Sequence, residues 1–243
     1  MNTDNRPVVA VLAVLLLAST RVSAASTEAV APRSAAMVAA PAVRVLLDDA
    51  LALHRRGETE SALARYREAA SLGDANAQFN AAVIRLSGDS ESLPLSEALV
   101  LLRRSAEQGY PPAEYALATA LENGLWMPRN LSTANDWYER AAGHGHAQAQ
   151  LAIGLAFYLG RGRQYDPVSA ARWLERAAAS DEVTAQYMVA SMYESGTGVA
   201  RDLRQALDWY AAAARGGDIA AREKAREVAE RIAAEQAAEQ PAQ

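Results

Sequence analysis

The chain has 243 residues, of which 51% are hydrophobic and only 6% aromatic, with a formal net charge of −5 and no cysteine. The mild negative charge argues against a nucleic-acid partner, because phosphate binding needs a basic face. The lack of cysteine excludes disulfides, thiol catalysis, thiolate metal sites and a lipidated N-terminal cysteine. Alanine dominates the apolar residues, and together with leucine, arginine and glutamate it favours helix.

The chain begins with the pattern of an export signal. Arg6 precedes an apolar run of twelve residues at 7–18, and small residues at 22–24 precede Ala25. This order is typical of a secretory signal peptide. An uncleaved membrane anchor is the alternative, but twelve residues rise only about 18 Å as a helix, short of a hydrocarbon core of about 30 Å. We predict a signal peptide at 1–24, a periplasmic or secreted protein without a membrane span after cleavage, and a flexible linker at 25–41.

A period of 36 residues runs through the rest of the chain. Four registers share it: Ala62, Ala98, Ala134, Ala170 and Ala206; Ala70, Ala106, Ala142, Ala178 and Ala214; Ala77, Ala113, Ala149, Ala185 and Ala221; and Gly88, Gly124, Gly160 and Gly196. Four independent registers with one period predict a repeat protein in which each unit contacts mainly its neighbours.

Each period is predicted to carry two helices. Apolar residues at helical spacing from Leu151 to Tyr158 indicate a first helix over about 149–159. A second helix is predicted over about 167–179, because Asp166 can cap its free amides and Pro167 stands where the first turn tolerates proline. Asp202 is the equivalent cap one repeat later. Left-handed glycines are expected to close the second helices, at Gly73, Gly109, Gly145 and Gly217.

The unit nearest the C-terminus resembles a Sel1-like repeat, a relative of the tetratricopeptide repeat. The residues that carry the resemblance are Ala185-Gln186-Tyr187, Gly196-x-Gly198, Asp202, Ala206, Trp209-Tyr210, Ala213-Ala214 and Gly217. Two preceding units keep most of this pattern, with Trp173 and with Trp137-Tyr138, whereas Leu101-Leu102 replace the aromatic pair in the unit before them. The first unit, about 41–76, is similar to a tetratricopeptide repeat with a short turn.

The resemblance implies an all-α fold, a right-handed α-solenoid of about five 36-residue helix-turn-helix units. We place the solenoid at 42–235. From about 218 an apolar stripe through Ala221, Ala225, Val228 and Ile232 predicts a capping helix. Residues 236–243 are predicted to be a disordered tail.

Three patterns have alternative interpretations. The pair His144 and His146 could bind a metal, but a solvated turn is the favoured interpretation because no acidic ligand cluster lies nearby. The glycine pairs at 160–162 and 196–198 follow helices and lack a phosphate-binding lysine, which indicates turns. The recurring Trp137, Trp173 and Trp209 could stack on sugars, but core packing is favoured. We predict no cofactor and no metal.

The resemblance also implies that the first helices line a concave groove. The residues predicted to bind a partner there are Tyr115, Thr119, Glu122, Tyr158, Tyr187, Ser191 and Glu194. Tyrosines and acidic residues suit a peptide or helix with basic or polar groups, and core packing is the alternative for each. We expect a non-enzymatic periplasmic scaffold or regulator that binds a partner polypeptide. The alternatives are a protein that binds cell-wall glycan or polysaccharide machinery, and an enzyme, for which no nucleophile–base spacing stands out.

Overall fold

A computed structural model describes residues 33–239, and the regular structure in this range is entirely α-helical. The predicted signal peptide at 1–24, residues 25–32 and residues 240–243 lie outside the described residues. The helices are α1 (Arg33–Arg55), α2 (Thr59–Ser71), α3 (Ala75–Leu86), α4 (Leu95–Glu107), α5 (Pro111–Asn123), α6 (Leu131–Gly143), α7 (Ala147–Leu159), α8 (Pro167–Ala179), α9 (Val183–Ser195), α10 (Leu203–Arg215) and α11 (Ile219–Glu239). The prediction of an all-α solenoid of repeating helix pairs is confirmed.

The chain divides into two compact units. The described part of the first unit, up to Leu117, contains α1 to α4 and the start of α5. The second unit, from Ala118 onward, contains the end of α5 and the helices α6 to α11. Among the helices of residues 33–239 there is no candidate for a membrane-spanning segment.

Side-chain caps fix where the second helices α6, α8 and α10 begin. Helix α8 spans Pro167–Ala179, as predicted, because the Asp166 carboxylate accepts hydrogen bonds from the amides of Val168 and Ser169, both at 3.1 Å. Asp202 caps α10 in the same way. Helix α7 begins at Ala147, two residues before the predicted start near Ala149.

Glycines shape the turns. The four glycines predicted to close second helices, Gly73, Gly109, Gly145 and Gly217, have φ values between 80° and 99°. The extended turns of the later repeats also need glycine for space. A Cβ atom on Gly198 would lie 2.1 Å from the carbonyl oxygen of Pro167, so no side chain fits there.

The core combines small alanines with larger side chains from both helices of a pair, such as Ile153 of α7 and Leu174 of α8. The tryptophans, which the sequence predicts to fill this core, are not among its fully buried residues. The fully buried residue is the one that follows each tryptophan: Tyr138, Leu174 and Tyr210 are 4%, 0% and 1% exposed. Trp137, Trp173 and Trp209 are only partly buried. Trp209 packs at the edge of two apolar clusters.

Both ends of the described chain are more helical than predicted. Helix α1 begins at Arg33 and contains Pro41, so it covers much of the segment predicted as a flexible linker. Helix α11 is capped by Asp218, whose carboxylate accepts from the Ala221 amide at 2.9 Å, and it continues to Glu239. Residues 236–239 therefore belong to the helix and not to a tail. Both segments are rich in alanine, and its helix propensity outweighs the small-residue composition that suggested flexibility.

Candidate functional site

A buried tyrosine joins the two helices of the repeat formed by α5 and α6. The Tyr138 hydroxyl donates to Glu122 Oε2 at 2.8 Å and lies 3.1 Å from the Thr119 hydroxyl. The other carboxylate oxygen of Glu122 is 3.3 Å from Arg161 Nη2. Both oxygens of Glu122 are therefore engaged, one by a buried hydroxyl and one by an exposed guanidinium.

The same arrangement recurs in the repeat formed by α9 and α10. The Tyr210 hydroxyl donates to Glu194 Oε2 at 2.9 Å and also hydrogen-bonds with Ser191. Arg231 of α11 contacts the second oxygen of Glu194. Burial, together with the hydrogen bond to the Glu194 carboxylate, raises the pKa of Tyr210 well above its ordinary value. The hydroxyl therefore stays protonated and serves as a donor to the carboxylate.

The repeat between these two, formed by α7 and α8, has an apolar version of the same set. Leu174 takes the position of the tyrosine, and Leu155 and Tyr158 take the positions of the hydroxyl residue and the glutamate. A leucine has no hydroxyl, so no acceptor is needed opposite it. The three positions thus change together along the chain. This covariation was present in the sequence and could have revealed the pairs before the structure did.

A cavity of about 150 Å³ lies beside Glu122, between α5, α6 and α7. Glu122, Asn135, Tyr138 and Arg161 form its polar lining, and Leu155 is among its apolar lining residues. The Asn135 side chain donates to the Arg161 carbonyl at 2.8 Å, which holds the turn after α7 against α6. The cavity is smaller than the several hundred Å³ usual for small-molecule sites and suits a single side chain.

The structure places the predicted partner-binding residues on first helices, but it buries some of them. Thr119 is only 8% exposed and hydrogen-bonds with Tyr138, so it cannot contact a partner directly. The side chains of Glu122 and Glu194 are 28% and 15% exposed. Of the two, Glu122 is the more accessible.

The predicted tyrosines are half-buried. Tyr158 packs at the edge of one apolar cluster, and Tyr187 packs beside Tyr210 with ring centres 5.3 Å apart. Tyr115 is also half-buried, in the first unit, and Ser191 is half-buried beside Tyr210. Tyr158 and Tyr187 contribute to packing and still have surface for contact. The concave-face assignment itself stays a prediction.

His146 is buried, which corrects the interpretation of the histidine pair as a solvated turn. Its Nδ1 accepts from the Ala149 amide at 3.3 Å, so it caps α7 in the way that Asp74 and Asp218 cap their helices. Burial lowers the pKa of His146 from 6.5 to about 4, and the ring is neutral at pH 7. Within residues 33–239, no group of three or more His, Asp or Glu side chains is placed to hold a metal ion.

Two of the recurring tryptophans have an arginine on the ring. The guanidinium carbon of Arg140 lies 4.2 Å from the Trp137 ring centre, and that of Arg176 lies 4.7 Å from the Trp173 ring centre. A sugar that stacked on the same faces would have to displace these arginines. The geometry therefore disfavours a glycan-binding ladder.

Comparison with known proteins matches four consecutive Sel1 repeats, at residues 75–110, 111–146, 147–182 and 183–218. The structure of a Sel1 repeat protein from Oxalobacter formigenes is 28% identical with a TM-score of 0.66, covering 75% of this chain and 76% of that one. The structure of a protective antigen from uropathogenic Escherichia coli with an SLR fold is 33% identical with a TM-score of 0.61, covering 65% of this chain but 34% of that one.

A plant protein is also similar. An F-box protein of Arabidopsis thaliana is 39% identical over 79 residues, which are 32% of this chain and 22% of that protein. The chain thus spans about a fifth of the F-box protein and a third of the antigen, so the similarity to both is a similarity of repeats.

Proposed function

Since this chain belongs to the Sel1 repeat family, whose members are protein-interaction scaffolds, we propose that it is a non-enzymatic scaffold that binds a partner polypeptide on the first-helix face of its second unit. The observation that carries the proposal is the cavity of about 150 Å³ beside Glu122. It combines a partly exposed carboxylate with apolar walls, at a size that suits one side chain of a partner.

The chemistry of this face favours a basic or polar group on the partner. Arg161, which pairs with Glu122 at 3.3 Å, has a side chain that is 54% exposed. An exposed ion pair of this kind contributes little stability, so a partner's basic side chain can compete for the carboxylate at small cost. Tyr158 and Tyr187 supply partly exposed aromatic rings on the same set of first helices. Tyrosine is among the residues enriched at the energetically dominant positions of interfaces.

The proposed compartment is the periplasm. The support is the charged, apolar and small-residue order of residues 1–24. Binding to cell-wall glycan is a weaker candidate, because arginines lie on the rings of Trp137 and Trp173.

Site-specific photo-crosslinking tests the proposed face. A photoreactive phenylalanine analogue replaces Tyr158 on the proposed face or, as a control, Asp208, which is exposed on the second helix α10. We expect a discrete adduct in cells from position 158 and none from 208. Glu122→Gln, added to the protein that carries the analogue at position 158, should weaken that adduct because the negative charge is lost. The glutamine amide oxygen can still accept the hydrogen bond from Tyr138, so the local packing is kept. Equal adducts from both positions, or none from 158, would contradict the proposal.

A further inference from the structure

An open groove of about 460 Å³ lies in the first unit, between α1, Tyr66 of α2 and the start of α3. Leu47 and Leu51 give it an apolar part, and Leu51 is 39% exposed. Arg44, Asp48 and Asp74 give it a charged part. The volume falls within the range of ligand-binding clefts and suits a few residues of an extended chain.

A narrow cavity of about 10 Å³ adjoins this groove and shares Tyr66 and Asn80 with it. His54 and Asp89 also line the cavity. The Nδ1 atom of His54 is buried and has no hydrogen-bond partner among the described residues. A cavity of about 10 Å³ has room for at most one water molecule, which could hydrogen-bond to this atom.

Comparison with the second unit shows that Tyr66 lacks the carboxylate acceptor that Tyr138 has. Tyr66 stands two periods before Tyr138, but the turn 56–58 has three residues where the turn 124–130 has seven. Because this turn is four residues shorter, equivalent positions in α1 lie four residues later than the 36-residue period alone would place them. The counterpart of Glu122 in α1 is therefore His54. The same offset matches Ala50 with Ala118, and both are fully buried. Tyr66 thus has a histidine where Tyr138 has a carboxylate, and no described residue accepts a hydrogen bond from its hydroxyl.

The groove and the adjoining cavity carry an excess of negative charge. Asp48, Asp74 and Asp89 supply three carboxylates, against one guanidinium from Arg44. Asp74 uses one oxygen to cap α3, at 2.7 Å from the Ala77 amide. Asp48 forms no ion pair with any described residue. A cationic side chain is the group that complements these carboxylates.

Building on the proposed scaffold function, we propose that this groove binds an extended segment of a partner protein in which a lysine or arginine stands next to an apolar residue. The basic group pairs with Asp48 and Asp74, and the apolar neighbour packs on Leu47 and Leu51. Once the predicted signal peptide at 1–24 is removed, the remaining ends of the chain have the wrong chemistry for this site. The only charged residue in the segment 25–32 is Glu28, which is acidic, and residues 240–243 carry no charged side chain.

Peptide binding to the full chain tests the proposal. The probes are fluorescein-labelled alanine peptides with a central Leu-Arg, Leu-Gln or Leu-Glu pair, followed by fluorescence anisotropy. We expect the Leu-Arg probe to bind at least about tenfold more tightly than the Leu-Glu probe. Asp48→Asn should weaken the Leu-Arg probe about tenfold, since a charge-assisted pair is lost. The matched control is Asp49→Asn, because Asp49 is the next residue on α1 and pairs outside the groove with Arg65 at 2.9 Å.

Four results would overturn the assignment. They are equal binding of the Leu-Arg and Leu-Glu probes, equal losses from the two asparagine variants, a large gain in affinity on deletion of residues 25–32, and a dimer that the Leu-Arg probe dissociates. The third would mean that the chain's own segment fills the groove, and the fourth that a second copy does. If the Leu-Arg probe shows no preference but the crosslinked adduct from position 158 still forms, only the proposal for the first-unit groove is refuted. If the adduct from position 158 is absent but the Leu-Arg probe still binds as expected, only the proposal for the second-unit face is refuted.

Discussion

Protonation of His146 should destabilise the second unit in mild acid. The ring is 9% exposed, and its Nδ1 must be unprotonated to accept from the Ala149 amide. Its pKa in the folded chain is about 4, against an ordinary value of 6.5. Because the unfolded chain binds the proton more tightly, the stabilising contribution is complete above pH 6.5 and is lost as the pH falls toward 4.

The size of the effect follows from the two pKa values. At about 1.4 kcal/mol for each pH unit, the span between 6.5 and about 4 corresponds to roughly 3 kcal/mol of unfolding free energy. His146→Asn keeps a cap acceptor but does not titrate in this range. The difference in unfolding free energy between the two proteins should therefore change by up to about 3 kcal/mol between neutral pH and about pH 4.

Urea unfolding followed by circular dichroism at a series of pH values measures this difference directly. His144→Asn is the control, because His144 is the exposed histidine two residues earlier in the same turn. The carboxylates titrate alike in all three proteins, so their effect cancels in the comparison. Parallel stability curves for the parent and His146→Asn would refute the reasoning, as would an equal change in the His144→Asn protein.

Two further predictions concern the core and the N-terminus. Leu174→Ala should cost about 2 to 5 kcal/mol of unfolding free energy, because the leucine is fully buried, and Trp173→Ala should cost less. Denaturant unfolding of both proteins measures the two costs, and equal costs would contradict this prediction. Mass spectrometry of protein from the periplasmic fraction should find a mature start near Ala25, as the order of residues 1–24 predicts, whereas an intact Met1 in the cytoplasm would contradict export.

Periodicity and caps were enough to predict the helices, but they did not predict which residue of a pair is buried. The cap residue Asp166 and the first-turn residue Pro167 predicted where α8 begins, and the structure confirms the predicted range of 167–179. Trp173 and Leu174 recur with the same period, so the period cannot separate them. A helix turns about 100° per residue, and that rotation directs Leu174 to the core while Trp173 stays partly exposed.

The contacts of the predicted partner-binding residues could not be predicted from each sequence position considered alone. Thr119 and Glu122 were recognised as polar residues on a first helix, and exposure to a partner was the natural inference. The structure shows that they serve the hydroxyl of Tyr138, which comes from the other helix of the pair. Only a comparison of all three positions across repeats, with Leu174 as the counterexample, reveals that dependence.

The tyrosine–carboxylate sets have a consequence for how the gene can change. Thr119, Glu122 and Tyr138 all lie within the repeat 111–146, and Ser191, Glu194 and Tyr210 all lie within 183–218. Recombination that duplicates or removes a whole repeat therefore transfers a complete set. A crossover inside a repeat could instead place a leucine opposite a glutamate and remove the hydroxyl that donates to its carboxylate. Viable rearrangements of this gene should accordingly have their breakpoints between repeats, in the short turns that follow the second helices.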